Sequence, residues 1–454
     1  MKKLLLSSFV LLSATVVAQS WVEQGIGFPA NFGVDEMHIV DANTVWTTAY
    51  DGSGAGTYPK ITSRTTNGGT TWTATTISGP GGNALVSDIH AIDANTAYIV
   101  TAPHTAGANA NRIYKTTDGG ATWAQQTSGY GSNSFANHIY FWDANNGWTS
   151  GDPVGGKLEM YKTTNGGTTW TAVAGRPEPF GGAEFTYVGL KEVVGNNIWM
   201  GTDLGRIYHS SDRGETWTGH FSPVLDFGGV TTEGSSGKMT FKDGNNGLLV
   251  AVDGAVTGGT PSAALYSTTD AGATWEPVDA AGTWFFGDVT YVPGTANTYV
   301  STGINSNATQ GTGSSYSTDG GLTWTIIDNI AGVDGGQRGK VRFLNSTTGW
   351  CGFFSDGPGG RSGIFKFDGN LDLGVANTAV KSDLKVYPNP AADVVYISSN
   401  KKVESVTVFD ISGKRVQSFK ASNQINVSSL AKGNYILQVN YGGGAVENTK
   451  FIKK

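Results

Sequence analysis

The sequence predicts an all-β protein: a seven-bladed β-propeller with an N-terminal strand closing the last blade, followed by a small C-terminal β-sandwich. Three observations carry that expectation. An eight-residue motif recurs with a period near 50, a strand-and-turn signal precedes each copy, and the periodicity stops near residue 368, where a shorter β pattern replaces it. Composition agrees, since 66 glycines and 13 tryptophans stand beside a single cysteine and only 15% charged residues, which excludes charged disordered tails and a disulfide scaffold.

The chain opens with Lys2-Lys3, an apolar run Leu4 to Val17, and the small residues of Val16-Val17-Ala18, which predicts a signal peptide over 1–18 with cleavage before Gln19. No later run approaches the roughly 20 apolar residues that cross a bilayer, so no transmembrane segment is expected. Net charge is -6 with no basic run that could neutralise a row of phosphates, which makes nucleic acid an unsuitable partner.

The motif Ser/Thr-x-Asp/Asn-x-Gly-x-Thr-Trp occurs six times, over Thr65–Trp72, Thr116–Trp123, Thr163–Trp170, Ser210–Trp217, Thr268–Trp275 and Ser317–Trp324. Its tryptophans lie 51, 47, 47, 58 and 49 residues apart. That spacing suits a blade of four antiparallel strands. Within each copy the Asp or Asn accepts backbone N–H bonds, Gly supplies a positive φ and Trp packs on a neighbour, so these residues are structural. Seven first-strand turns precede them, ending on Trp46, Tyr98, Trp148, Trp199, Leu248, Tyr299 and Trp350. Seven starts against six motifs balance if Ser20-Trp21-Val22-Glu23 supplies the last blade's fourth strand.

These six motifs resemble the Asp-box, or BNR, repeats of sialidases, sortilin-type receptors, xyloglucan-cleaving glycoside hydrolases and photosystem II stability-factor propellers. The resemblance covers about residues 20 to 370 and implies the fold; it implies no one activity, because the box shapes a peripheral hairpin. The Arg-Ile-Pro run of sialidases does not occur, which speaks against that activity.

The expected organisation is a signal peptide over 1–18, a propeller over 19–368, a linker over 369–382 and a second domain over 383–454. In the last, Tyr387-Pro388-Asn389-Pro390, the segment from Val408 through Gly413, the segment from Leu430 through Gly433 to Tyr435, and the terminal Lys453-Lys454 resemble the type A C-terminal domain of the type IX secretion system. That resemblance implies the type IX secretion machinery as a partner, export to the medium or cell surface, and removal of the tail or attachment to surface polysaccharide. Charge follows the same division: residues 383–454 carry ten basic against five acidic residues, leaving the propeller acidic.

Candidate binding residues come from aligning the first strands. One position reads Met37, Ile89, Ile139, Leu190, Met239, Val289 and Val341, all apolar, and packs the blades. The residue before it reads Glu36, Asp88, His138, Gly189, Lys238, Asp288 and Lys340, which should gather at the mouth of the central channel as a ligand site or as a mutually paired ring. Two residues further on, His38, His90, Tyr140, Lys191, Thr240, Thr290 and Arg342 would line a deeper layer. Trp284, in a crossover, and Phe180 are candidate sugar-stacking rings, with inter-blade packing as the alternative. No cofactor motif and no metal-ligand set is present; His38 and His90 alone do not make one. The function these features point to is a secreted or surface propeller binding a glycan or protein. The alternative is a two-carboxylate glycoside hydrolase drawing on Glu36, Asp88, Asp152, Glu184, Asp226 and Asp288.

Overall fold

The computed structural model describes residues 19–53, 55–105, 110–229, 235–253, 262–303, 312–329, 336–355, 362–372, 384–399, 401–410, 414–441 and 446–454. The expected signal peptide and most of the expected linker lie outside the described residues. The chain divides into two compact units, Met1–Leu373 and Gly374–Lys454.

In the first unit the described strands form seven sheets, five of four strands and two of five, antiparallel throughout except that Ala281–Gly282 runs parallel to Thr323–Asn329. Their innermost strands are Phe32–Ile39, Ala84–Ala91, Ala136–Phe141, Thr186–Val194, Ser235–Phe241, Asp288–Tyr291 and Gly336–Asn345. Each touches the next, and the last touches the first, so the sheets close a ring around an axis. The closure uses the N-terminus: Ser20–Gln24 pairs antiparallel with Ser362–Asp368, with Trp21 opposite Phe367. Gln24 adds a polar clasp there, its Oε1 accepting from the Trp72 indole at 3.1 Å and the Trp350 indole at 3.3 Å.

The repeat positions explain why the sheets stack. The apolar series Met37, Ile89, Ile139, Leu190, Met239, Val289 and Val341 is buried throughout, as is the turn-end series Trp46, Tyr98, Trp148, Trp199, Leu248, Tyr299 and Trp350. These large rings reach across to the next sheet, where Trp46 meets Trp123 edge-on at 6.4 Å, the Tyr98 hydroxyl donates to Gly166 O at 2.9 Å, and the Trp199 indole donates to Ala271 O at 2.8 Å. All six motifs share one bonding pattern: the Ser or Thr hydroxyl oxygen accepts from the Gly N–H, and the Asp or Asn Oδ1 accepts from the Thr N–H, as at Thr116, Gly120, Asp118 and Thr122, each at 2.9 Å. Such local bonds satisfy the turn's donors and release the following strand in a fixed direction.

The second unit consists of a three-stranded and a four-stranded sheet enclosing Val395, Ile397, Val406, Val408, Leu437 and Phe451. Distant parts of the predicted sorting signal meet in it. Asn389 Oδ1 accepts from Ile452 N at 2.9 Å, Ala391 bridges Lys453, Lys454 N donates to Ala391 O at 2.9 Å, and Gly433 pairs with Lys453. Tyr387-Pro388 and Asn389-Pro390 are both cis peptides. Gly413 lies outside the described residues.

A candidate binding site at the channel mouth

Five of the seven innermost strands are bulged at the same level. The ladder skips between Val34 and Met37, Val86 and Asp88, Ala136 and His138, Thr186 and Lys191, and Arg338 and Val341. A bulge places extra residues on one strand, bends it and re-aims their side chains. Here the bends deliver Asp35, Glu36 and Lys340 to one cavity of about 400 Å³, which also receives Lys191, Glu192, Lys238, Asp288 and Arg342.

Most of these charges neutralise one another. Lys340 donates to Glu36 between the last and first sheets, and Lys191 donates to Asp88. Asp288 Oδ2 accepts from Arg342 Nη1 at 2.9 Å, and Arg342 lies 3.8 Å from Glu192 Oε1. Two carboxylates also tie sheets together through the backbone, since Asp88 accepts from Ile139 N at 2.7 Å and Asp288 from Val341 N at 2.9 Å. The ring is thus largely a paired network, the second of the two arrangements the strand alignment allowed. Gly189 completes it by being small: a Cβ at that position, where φ is +68°, would collide with the Glu36 carboxylate.

Two groups stand outside the pairing. Neither Asp35 nor Lys238 has a hydrogen-bond or ion-pair partner among the described residues. Burial, reinforced by the neighbouring Glu36, pushes the Asp35 carboxyl up to about 7, and burial lowers the Lys238 ammonium. Glu192 is likewise held at about 7 by burial, which outweighs the attraction of Arg342.

Other predicted residues stand elsewhere. His138 is fully buried, with Nδ1 3.0 Å from Ser150 Oγ, and lines no part of the cavity. The ladder is bulged between Ala136 and His138, and the intervening Asn137 is also fully buried, its Nδ2 donating to Asp152 at 2.7 Å and to Thr186 O at 2.9 Å. Trp284 packs on Trp324 at 6.2 Å and Phe286 at 6.1 Å, the inter-blade alternative. Of the deeper series, His38, His90 and Tyr140 lie together, while Lys191 and Arg342 also reach the cavity. His38 and His90 lie 4.0 Å apart, His90 and Tyr140 4.4 Å apart, and burial drives both imidazoles below their ordinary range, His38 to about 3. No group of three or more His, Cys, Asp or Glu among the described residues is placed to hold a metal. Among the carboxylates considered for hydrolysis, Glu184 is fully buried, where its Oε2 accepts from Arg206 at 2.8 Å and Tyr208 at 2.6 Å.

Comparison with known proteins agrees with the architecture. Residues 385–454 match the secretion system C-terminal sorting domain. The tail is a sorting domain. Its presence assigns the chain to secretion or the outer cell surface. Residues 83–255 match photosynthesis system II assembly factor YCF48. Among solved structures, YCF48 bound to D1 peptide is 17% identical, covering 77% of this chain and 94% of its own, with a TM-score of 0.52. YCF48 from Cyanidioschyzon merolae is 16% identical, covering 77% and 99%, with a TM-score of 0.53. At such identities the likeness establishes the propeller fold. No curated protein matches the sequence. Among the described residues no helix is long and apolar enough to cross a membrane.

Proposed function

We propose that this chain is a binding propeller, displayed on the cell surface or released, whose ligand is a glycan or a protein segment seated in the channel-mouth cavity. In this reading residues 1–18 direct passage of the inner membrane and are removed before Gln19, the propeller ends near residue 368, and the tail from about 383 hands the chain to the type IX machinery, with release or attachment to surface polysaccharide as the end point. The observation that carries the ligand site is the pair of unmatched groups, Asp35 and Lys238, in a cavity whose other charges are paired. A ligand bearing both a donor and an acceptor completes the network, and its binding costs little ion-pair disruption. Either hydroxyl-rich sugars or a peptide backbone present such groups; the fold's occurrence in YCF48 bound to a peptide supports the second.

A second reading, glycoside hydrolysis, draws on Asp35 and Glu192, two carboxyls held near neutrality in one cavity, the condition for a general acid. One experiment separates the readings. The secreted protein and its Asp35→Asn/Lys238→Met variant are screened on a glycan array, a peptide array and a set of polysaccharides assayed for reducing ends. Binding without turnover that the variant loses supports the first reading, and turnover that the variant loses supports the second. Activity or binding unchanged in a folded variant removes the cavity from either role.

A further inference from the structure

A second surface lies outside the cavity, on the sheet formed by Thr186–Val194, Asn197–Thr202, Arg206–Ser210 and Thr218–Phe221. Four apolar side chains stand in water there: Phe180 is 54% exposed, Leu204 41%, Phe221 59% and Leu225 68%. Two of them touch and the other two stand on adjoining turns. The Phe180 and Phe221 rings meet edge-on at 5.3 Å, and the turn carrying Leu204 touches the segment carrying Leu225, since Ser222 N donates to Gly205 O at 2.9 Å and a Cβ on Gly205 would strike Val224 O.

The rings are held rather than loose. The Arg206 guanidinium lies 5.4 Å from the Phe180 centroid, 5.5 Å from Phe221 and 5.0 Å from Tyr208, and is itself fixed by the buried Glu184. A guanidinium between aromatic faces orders them at small entropic cost to a later partner. Half-buried carboxylates border the apolar group. Asp203 and Asp226 adjoin Leu204 and Leu225 in sequence, and Asp152 joins them in space, close enough that Asp203 repels both. None of the three forms an ion pair with a cation among the described residues.

We propose that this surface docks a polypeptide segment combining apolar side chains with lysine or arginine. Fixed rings at the centre and, at the margin, carboxylates that no described cation neutralises are the two halves of such a contact: desolvated anchors supply affinity and charge complementarity supplies selectivity. A neutral glycan fits less well, because two rings meeting edge-on offer a corner and no flat platform. The site is separate from the channel-mouth cavity and stands if that assignment fails.

The test uses the full chain and a synthetic dodecapeptide alternating leucine and lysine, with its leucine–glutamate counterpart and cellohexaose as comparison probes, read by fluorescence anisotropy or calorimetry. Phe180→Ala/Phe221→Ala weakens the lysine peptide by about tenfold or more. Asp203→Asn/Asp226→Asn weakens it about threefold at low salt, a difference that shrinks as salt rises. Leu322→Ser, which removes an exposed leucine from a motif turn elsewhere, leaves it unchanged, as does Asp35→Asn/Lys238→Met. The proposal is overturned if the wild-type chain does not bind the lysine peptide, if the glutamate peptide or cellohexaose binds as well, or if Leu322→Ser costs as much as the phenylalanine pair.

Discussion

Ring closure by the N-terminal strand makes the propeller's stability hang on Trp21. Its indole donates to Ser314 Oγ at 2.8 Å and packs edge-on to Phe343 at 6.0 Å and Phe367 at 5.4 Å, against a cluster that includes Val341 and Leu371. Truncating a well-buried tryptophan costs about 3–5 kcal/mol. Trp21 is half-buried on an outermost strand, so Trp21→Ala should cost about 3 kcal/mol, including roughly 1 kcal/mol for the lost hydrogen bond. Its neighbour Val22, half exposed, faces away, and Val22→Ala should stay within about 0.5 kcal/mol. Urea unfolding of the secreted protein followed by tryptophan emission reads this directly, because all 13 tryptophans precede residue 351 and the tail is silent. Equal midpoints for the two variants would refute the closure, since a strand that merely rested on the last sheet would lose nothing particular at position 21.

Two further outcomes follow from the channel mouth. Lys340→Met strands Glu36 beside Asp35 in a site where the paired side chains are only 15% and 12% exposed, and should cost about 2–3 kcal/mol after discounting for that exposure. Adding Glu36→Gln should restore most of it, as measured by the same urea midpoints. Asp35, raised from 3.8 to about 7 in the native state, binds its proton more tightly folded than unfolded, so its contribution is intact below about pH 4 and is lost as pH rises toward 7. His38, lowered to about 3, acts in the opposite sense by destabilising the fold as pH falls below 6.5. The profile of Asp35→Asn subtracted from that of the wild type therefore isolates the first effect, and the wild type should lose stability relative to the variant between pH 4 and 8.

Residues whose job is set within a few positions of their own sequence were legible. Each motif closes its own turn through its own Ser or Thr and Asp or Asn, so six identical bonding patterns could be anticipated without knowing any neighbour. The packing tryptophans repeat because each sheet meets the next in the same way. The sorting tail was legible for a different reason, its motifs being distinctive even though Asn389 and Ile452 meet only in the folded unit. The cavity was half legible. Strand alternation brought Glu36, Asp88, Lys238, Asp288 and Lys340 to one region, but alternation assumes an unbroken ladder, and five bulges break it. Asp35 was passed over because a regular strand would have turned it away from the axis; the adjacent acidic pair Asp35-Glu36 in the middle of a strand was the available signal. His138, beside the bulge of the third innermost strand, is turned to Ser150 instead.

The bulges also determine which charges stay unpaired. Seven strands of similar sequence converging on one axis would crowd like charges together if each offered the same residue type, and low-dielectric walls would make that crowding costly. The strands differ instead, and pairing runs between layers as well as between neighbours: Asp88 takes its cation from Lys191 two sheets away, while Arg342 serves both Asp288 and Glu192 across the channel. Every charge of the upper ring is spoken for except Lys238, and the one surplus carboxyl, Asp35, exists only because the first strand is bulged. Lys238 and Asp35 belong to the fifth and first sheets, and among the described residues neither has a partner across the channel of the kind that joins Arg342 to Glu192.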